Sequence, residues 1–139
     1  MTFYQKEITR IRNSHYSNEG QIDTVIAARS FISSNFDQEL NLDLLSRISY
    51  VSKFHLLRLY KKYYGQTPQQ FLTDKRIEKS KEYLKKGKNI TETCFAVGFE
   101  SPSSFSTLFK NRTGLTPTEF QKEQLSQSRS NSDFETLGY

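Results

Sequence analysis

The chain repeats itself. Residues Ser52 to Phe71, SKFHLLRLYKKYYGQTPQQF, return 49 positions later as Ser101 to Phe120, SPSSFSTLFKNRTGLTPTEF. At that offset the opening serine, Leu59 and Leu108, Lys61 and Lys110, Gly65 and Gly114, the Thr-Pro pair and the closing phenylalanine coincide. A repeat of this size is one supersecondary unit used twice, so the two copies are expected to share a fold.

One copy can be read residue by residue. Ser52 suits the N-cap of a helix, because its hydroxyl can accept the backbone N–H groups that a first turn leaves unpaired. Gly65 suits the left-handed residue that ends a helix. Thr67 then caps a new helix whose first position is Pro68, where a missing N–H costs nothing. Between Ser52 and Gly65 run two stripes at helical spacing. Leu56, Leu59, Tyr60 and Tyr63 form the core stripe. Phe54, Leu57, Arg58 and Lys61 form the other, which mixes apolar and cationic residues on the face that solvent should see. It is either a snorkelling basic surface with two stray hydrophobes or a recognition helix. In the second case Arg58 reads base edges, Phe54 and Leu57 touch thymine methyls or sugars, and Lys61 meets phosphate.

The residues before each copy favour the second case. Leu42 to Ile48 reads as a short amphipathic helix and Ser49-Tyr50-Val51 as a turn; Ile90 to Val97 and Gly98-Phe99-Glu100 repeat the pattern. A short helix, a three-residue turn and a longer helix make a helix-turn-helix. Ser46 and Cys94 are small residues placed where crossing helices approach closely.

These stretches resemble the DNA-binding domain of the AraC/XylS transcription regulators, over roughly Ile22 to Gln121. The resemblance is carried by Ser52-Lys-Phe-His-Leu-Leu-Arg-Leu-Tyr-Lys-Lys62, by Arg76-Ile-Glu-Lys-Ser-Lys-Glu-Tyr-Leu84, by Val97-Gly-Phe-Glu-Ser101 with Ser104-Phe-Ser-Thr-Leu-Phe-Lys110, and by Gly114-Leu-Thr-Pro117. It implies an all-α fold of seven helices, two helix-turn-helix subdomains on a long linker helix, and recognition helices in adjacent major-groove segments on one side of a duplex. The base-reading positions are then Phe54, Leu57 and Arg58 in the first unit and Ser103, Ser106 and Thr107 in the second. Backbone contacts fall to Ser52, Lys53, His55, Lys61 and Lys62, and to Ser101, Lys110, Asn111 and Thr116. Two departures stand out. Thr107 and Ser103 replace Arg58 and Phe54 in the second unit, so Arg58 is expected to carry most of the direct readout. Tyr50 stands where the family generally has glycine, which demands either a right-handed turn or strain.

Charge agrees with a polyanion partner. The net charge is +5, but Lys53 to Lys88 alone holds eleven Lys or Arg against Asp74, Glu78 and Glu82, a net of +8. Lys and Arg are also ordinary exposed-helix residues, so the clustering beside a helix-turn-helix is what favours phosphate contact. No stretch of about 18 apolar residues exists and no apolar leader core is visible. A single cysteine, Cys94, excludes an internal disulfide and reads as a small core residue. His15 and His55 cannot make a metal site by themselves. No paired carboxylates, Ser-His or Cys-His constellation, or phosphate-cradling glycine loop supports an enzyme, and no cofactor is expected.

The chain then divides into a polar arm (1–21), a DNA-binding domain (22–122) and a polar tail (123–139) expected to lack structure. In the arm Ile8 and Ile11 suit a loose helix, and Asn13-Ser14 and Asn18-Glu19-Gly20 read as loop. A first helix is expected from Ile22 or Asp23 to about Phe36, the first helix-turn-helix over about 42–64, the linker over 68–86 and the second helix-turn-helix over 90–112. Nineteen linker residues span roughly 28 Å, against roughly 34 Å for one turn of duplex. The 21 residues before the domain are too few for an effector domain. A stand-alone monomeric regulator and a fragment of a longer one both stay open. The expected function is sequence-specific binding of double-stranded DNA, as an activator that also touches RNA polymerase, in the bacterial cytoplasm at the nucleoid, with no membrane partner. The rival reading is a protein-interaction module that kept the fold and lost base readout.

Overall fold

The computed structural model describes residues 2–7 and 18–136. Seven helices fill the second of these stretches: α1 (Asn18–Ser34), α2 (Leu42–Ser49), α3 (Lys53–Tyr64), α4 (Pro68–Lys85), α5 (Ile90–Ala96), α6 (Pro102–Thr113) and α7 (Pro117–Thr136). No strand occurs among the described residues. Residues 3–7 add an eighth, short helical segment. It starts on a reciprocal cap in which Thr2 Oγ1 accepts from the Gln5 amide and Gln5 Oε1 accepts from the Thr2 amide. Ile8, Ile11, Asn13-Ser14 and His15 lie outside the described residues.

The helix ends follow from the punctuation in the sequence. Asn41, Ser52, Asn89 and Ser101 each cap a helix by accepting from an amide two or three residues on. Thr67 and Gln70 bond each other's amides ahead of α4, closing a reciprocal box. Gly65 and Gly114 close α3 and α6 in the left-handed region, with φ of 72° and 84°.

The chain splits into two compact units, residues 1–72 and 73–139. In the first, Ala28 and Ile32 of α1, Leu45 of α2, Leu56 and Tyr60 of α3, and Phe71 and Leu72 of α4 form one buried cluster. The Arg29 guanidinium lies 4.4 Å from the ring centres of both Tyr64 and Phe71, held by the ring faces. In the second unit Ile77, Ser80, Leu84, Cys94, Val97, Phe99, Phe105, Phe109 and Phe120 are buried. Phe99, Phe105, Phe109 and Phe120 form a continuous chain of rings 5.2–5.6 Å apart. Gln121 Nε2 donates to the carbonyls of Leu84 and Lys88 at 3.2 and 2.7 Å, tying α7 to the end of α4.

Two boundaries correct the sequence reading. Asn18-Glu19-Gly20, expected as loop, is the first turn of α1, which begins four residues before Ile22. Gly20 is buried there, and Thr24 Oγ1 donates to its carbonyl at 2.8 Å. The tail expected to lack structure continues α7 as far as Thr136. Starting a helix is the costly step, and α7 is already started by the Thr116 cap and anchored by buried Phe120, so the following Gln, Glu and Ser residues extend it.

The turns also differ from the simple repeat. Ser49 is the last residue of α2, and the left-handed residue is Tyr50, with φ 57° and ψ 31°. Its counterpart after α5 is Gly98, with φ 99°. In both turns the next amide reaches back to close the helix, Val51 to Ser46 and Phe99 to Cys94. The second turn then needs one more residue, Glu100, before its cap. Of the two outcomes open at Tyr50 the chain takes the strained one, a side chain in a region that disfavours any Cβ.

Tyr60 leads to the first stability prediction. Its hydroxyl is buried with no hydrogen-bond partner among the described residues, and burial pushes its phenol well above the usual tyrosine range. Phe109 occupies the equivalent place in the second unit without a hydroxyl. Tyr60→Phe is therefore expected to raise stability by about 1 kcal/mol, since a buried unpaired hydroxyl costs about that much. The check is a higher urea midpoint at unchanged slope. A lower midpoint would show that the hydroxyl holds a stabilising partner.

Candidate nucleic-acid interface

The two long helices of the helix-turn-helix units, α3 and α6, share one pattern of exposure. On α3 Lys53, Phe54, Arg58, Lys61 and Lys62 are exposed; on α6 the equivalent Pro102, Ser103, Thr107, Lys110 and Asn111 are exposed. Leu57 and Ser106, also equivalent, are both half-buried at the edge of this face. Three residues from Phe54, Leu57 sits about 60° round the helix. Its side chain lines an apolar cavity of about 70 Å³ with Ile32, Leu40, Leu42, Leu45 and Leu72. Leu57 thus faces the core side as much as solvent, and Ser106 shares its half-burial.

Phe54 is the most telling residue on the face. It is 77% exposed, although a large ring gains most from burial. Tyr50, at 81%, adds a second exposed ring just before α3. Its exposure was not visible in the sequence, where Tyr50 signalled only a difficult turn.

The cations on this face are not equivalent. Lys53 Nζ lies 2.9 Å from Asp43 Oδ1, and that ammonium holds the Asp43 carboxyl below the usual carboxylate range. Lys62 Nζ reaches Gln21 Oε1 at 3.4 Å, and Gln21 also accepts from the Tyr63 hydroxyl. Lys61 is exposed and makes no ion pair among the described residues. On the second unit Lys110 and Asn111 are exposed at the end of α6, and Arg112, absent from the expected contact set, is bound to Asp74 at 2.8 Å. Arg76 lies 5.7 Å from the Phe99 ring. Several members of the basic cluster are thus partly engaged within the protein.

His55 departs from its expected place. It is buried, at 7% exposure, and cannot meet phosphate. Its Nδ1 lies 3.2 Å from Nη2 of Arg58, three residues on. Arginine has no acceptor, so Arg58 donates and His55 accepts. The capping hydroxyls are also occupied. Ser52 accepts from the His55 amide, Ser101 from the Ser104 amide and Thr116 from the Glu119 amide. The Ser52 and Thr116 hydroxyls can still donate their own protons to a phosphate oxygen, whereas Ser101 Oγ donates to Ser104 Oγ at 3.1 Å and would have to exchange that partner for a phosphate. At the start of α6 Ser101, Ser103 and Ser104 form a short hydroxyl cluster at 3.1–3.3 Å, beside an open depression lined by Ser103, Ser104, Thr107 and Leu108. Ser104, exposed where α3 buries His55, was missed because the outward stripe was read from the first unit.

Among the described residues no His, Cys, Asp and Glu cluster could hold a metal ion, and no helix is long and apolar enough to cross a membrane.

Comparison with known proteins gives consistent results. A helix-turn-helix domain family matches residues 45–123. An uncharacterized HTH-type transcriptional regulator in the cgkA 5' region of Pseudoalteromonas carrageenovora is 34% identical over 95 residues, which is 68% of this chain and 57% of that protein. The chain spans about half the length of the curated relatives it matches. A transcriptional regulator of Chromobacterium violaceum with an AraC-type DNA-binding domain superposes with a TM-score of 0.68 at 28% identity, covering 77% of this chain and 96% of that one. The DNA-binding domain of AdpA, solved with a target DNA, superposes with a TM-score of 0.71 at 17% identity, covering 74% of this chain and 94% of that one, and shares the fold.

Proposed function

The chain belongs to the AraC-type helix-turn-helix family of transcriptional regulators, and we propose that it binds double-stranded DNA sequence-specifically with α3 and α6 as its recognition helices. The observation that carries this reading is the outer face of α3. There an exposed aromatic ring, Phe54, stands beside Arg58 and Lys61 on a surface with no core to fill. That combination suits a groove wall of phosphate, sugar and base edges. The face of α6 offers short hydroxyls instead of a long base-reading side chain. Its share is backbone contact through Ser101, Lys110 and Asn111 together with shape readout. Activation through contact with RNA polymerase belongs to the same reading, as does action as a monomer if the chain is the whole protein.

The test is selection from randomised duplex DNA, followed by affinity for the winner and for a scrambled duplex at two salt concentrations. A winner preferred by about 10³-fold or more is expected. Weak binding that collapses with salt and enriches no motif would instead favour a protein-interaction module on the same fold. Within this experiment Lys61→Ala is expected to weaken binding to all duplexes alike and to reduce the salt slope by about 1. A loss confined to the preferred sequence would move Lys61 from phosphate to base contact. Transcription from a template carrying the selected site, with and without the protein, separates activation from repression.

A further inference from the structure

We propose that His55 is a positioning residue for base readout, a buried ring whose Nδ1 holds the Arg58 guanidinium at one angle before DNA arrives. The role rests on the reading of α3 as a recognition helix. Three observations place it. His55 is buried although it lies on the flank of α3 next to the exposed face. The ring and the guanidinium are joined at 3.2 Å between Nδ1 and Nη2. The backbone that carries the ring is fixed, because the His55 amide donates to the Ser52 cap at 3.1 Å.

The chemistry defines the state of the ring. Arg58 can only donate, so Nδ1 must be bare and the neutral ring carries its proton on Nε2. One N–H of the guanidinium is spent on the histidine and four remain for the groove. An arginine side chain free to sample many rotamers loses that freedom on binding, and every wrong base contacted in another rotamer erodes discrimination. A guanidinium already fixed at one nitrogen presents its remaining fork in one plane, which bidentate contact to a base edge requires. The second unit has no such device: Ser104 stands where His55 stands, and Thr107 where Arg58 stands. The support occurs only where there is an arginine to support.

Two measurements test this. In the free protein, nitrogen NMR of the His55 ring should show the neutral Nε2–H tautomer at neutral pH. A proton on Nδ1 would overturn the proposal without reference to DNA. The second measurement is the affinity ratio between the selected and a scrambled duplex. His55→Leu, which keeps the burial and removes the acceptor, should lower that ratio about 3- to 10-fold while changing affinity for scrambled DNA little. His55→Asn, whose amide oxygen can occupy the place of Nδ1, should restore part of it. In an Arg58→Ala background His55→Leu should have no further effect on the ratio, since the two residues act as one. Equal loss on both duplexes, or additive effects in the double variant, would reduce His55 to a core residue. A wild-type protein that prefers no sequence would overturn the DNA reading and this role with it. A preference untouched by His55→Leu would overturn this role alone.

Discussion

Phe105→Ala is expected to lower stability by about 3–5 kcal/mol, the usual cost of removing a fully buried phenylalanine. Phe105 has no solvent exposure and sits between Phe99, at 5.2 Å, and Phe109, at 5.6 Å. Its loss removes burial and two ring contacts together, and Phe109 must then span the gap between Phe99 and Phe120. A domain of this size is stable by only about 5–15 kcal/mol, so the variant should lose a large part of its margin. Denaturant unfolding followed by circular dichroism reads the change directly. The buried cluster around Leu56, Tyr60 and Phe71 contains none of these four rings. The transition of residues 73–139 should therefore move further than that of residues 1–72. A shift below about 1 kcal/mol would mean that neighbouring side chains collapse into the space, against the close packing of the ring chain.

Arg58→Ala is expected to lower specific binding by about 1–3 kcal/mol, which is the discrimination a bidentate arginine supplies against a wrong base. Arg58 is the arginine of the α3 face, exposed and oriented by the neighbouring His55 ring. Lys53 is engaged by Asp43, and Lys61 is a flexible point charge suited to phosphate. The affinity ratio of selected to scrambled duplex should fall, and the selected motif should become degenerate at one position. If both duplexes weakened equally, Arg58 would be a phosphate contact and base readout would have to come from elsewhere on the face.

Much of this arrangement could be read from the residues. Ser52, Ser101, Gly65, Gly114 and the Thr-Pro pairs mark helix ends through local chemistry alone, and the structure uses each at the expected junction. Phe54, Arg58 and Lys61 on α3, and Ser103, Thr107, Lys110 and Asn111 on α6, are exposed because helical periodicity decides the outward face of each helix. What stayed hidden depends on neighbours distant in sequence. Leu57 turns toward a cavity walled by Leu40 and Leu42, and nothing within α3 announces those residues. The burial of His55 is a property of the flank, where periodicity assigns neither side. The start of α1 was obscured by Gly20, read as a breaker though its buried backbone takes the Thr24 hydroxyl. The far end of α7 was obscured by composition, because a polar sequence can prolong a helix that better residues have begun.

Cys94 has a practical consequence. It is the only sulfhydryl of the chain, it has no solvent exposure on α5, and burial pushes its thiol above the usual range. A thiol reagent can reach it only when residues 73–139 open, because the reactive thiolate needs both water and access. The labelling rate of the untouched protein is therefore a clock for that half of the molecule, ticking at its opening frequency and blind to openings confined to residues 1–72. Read with and without duplex present, the same clock would report whether nucleic acid holds residues 73–139 closed.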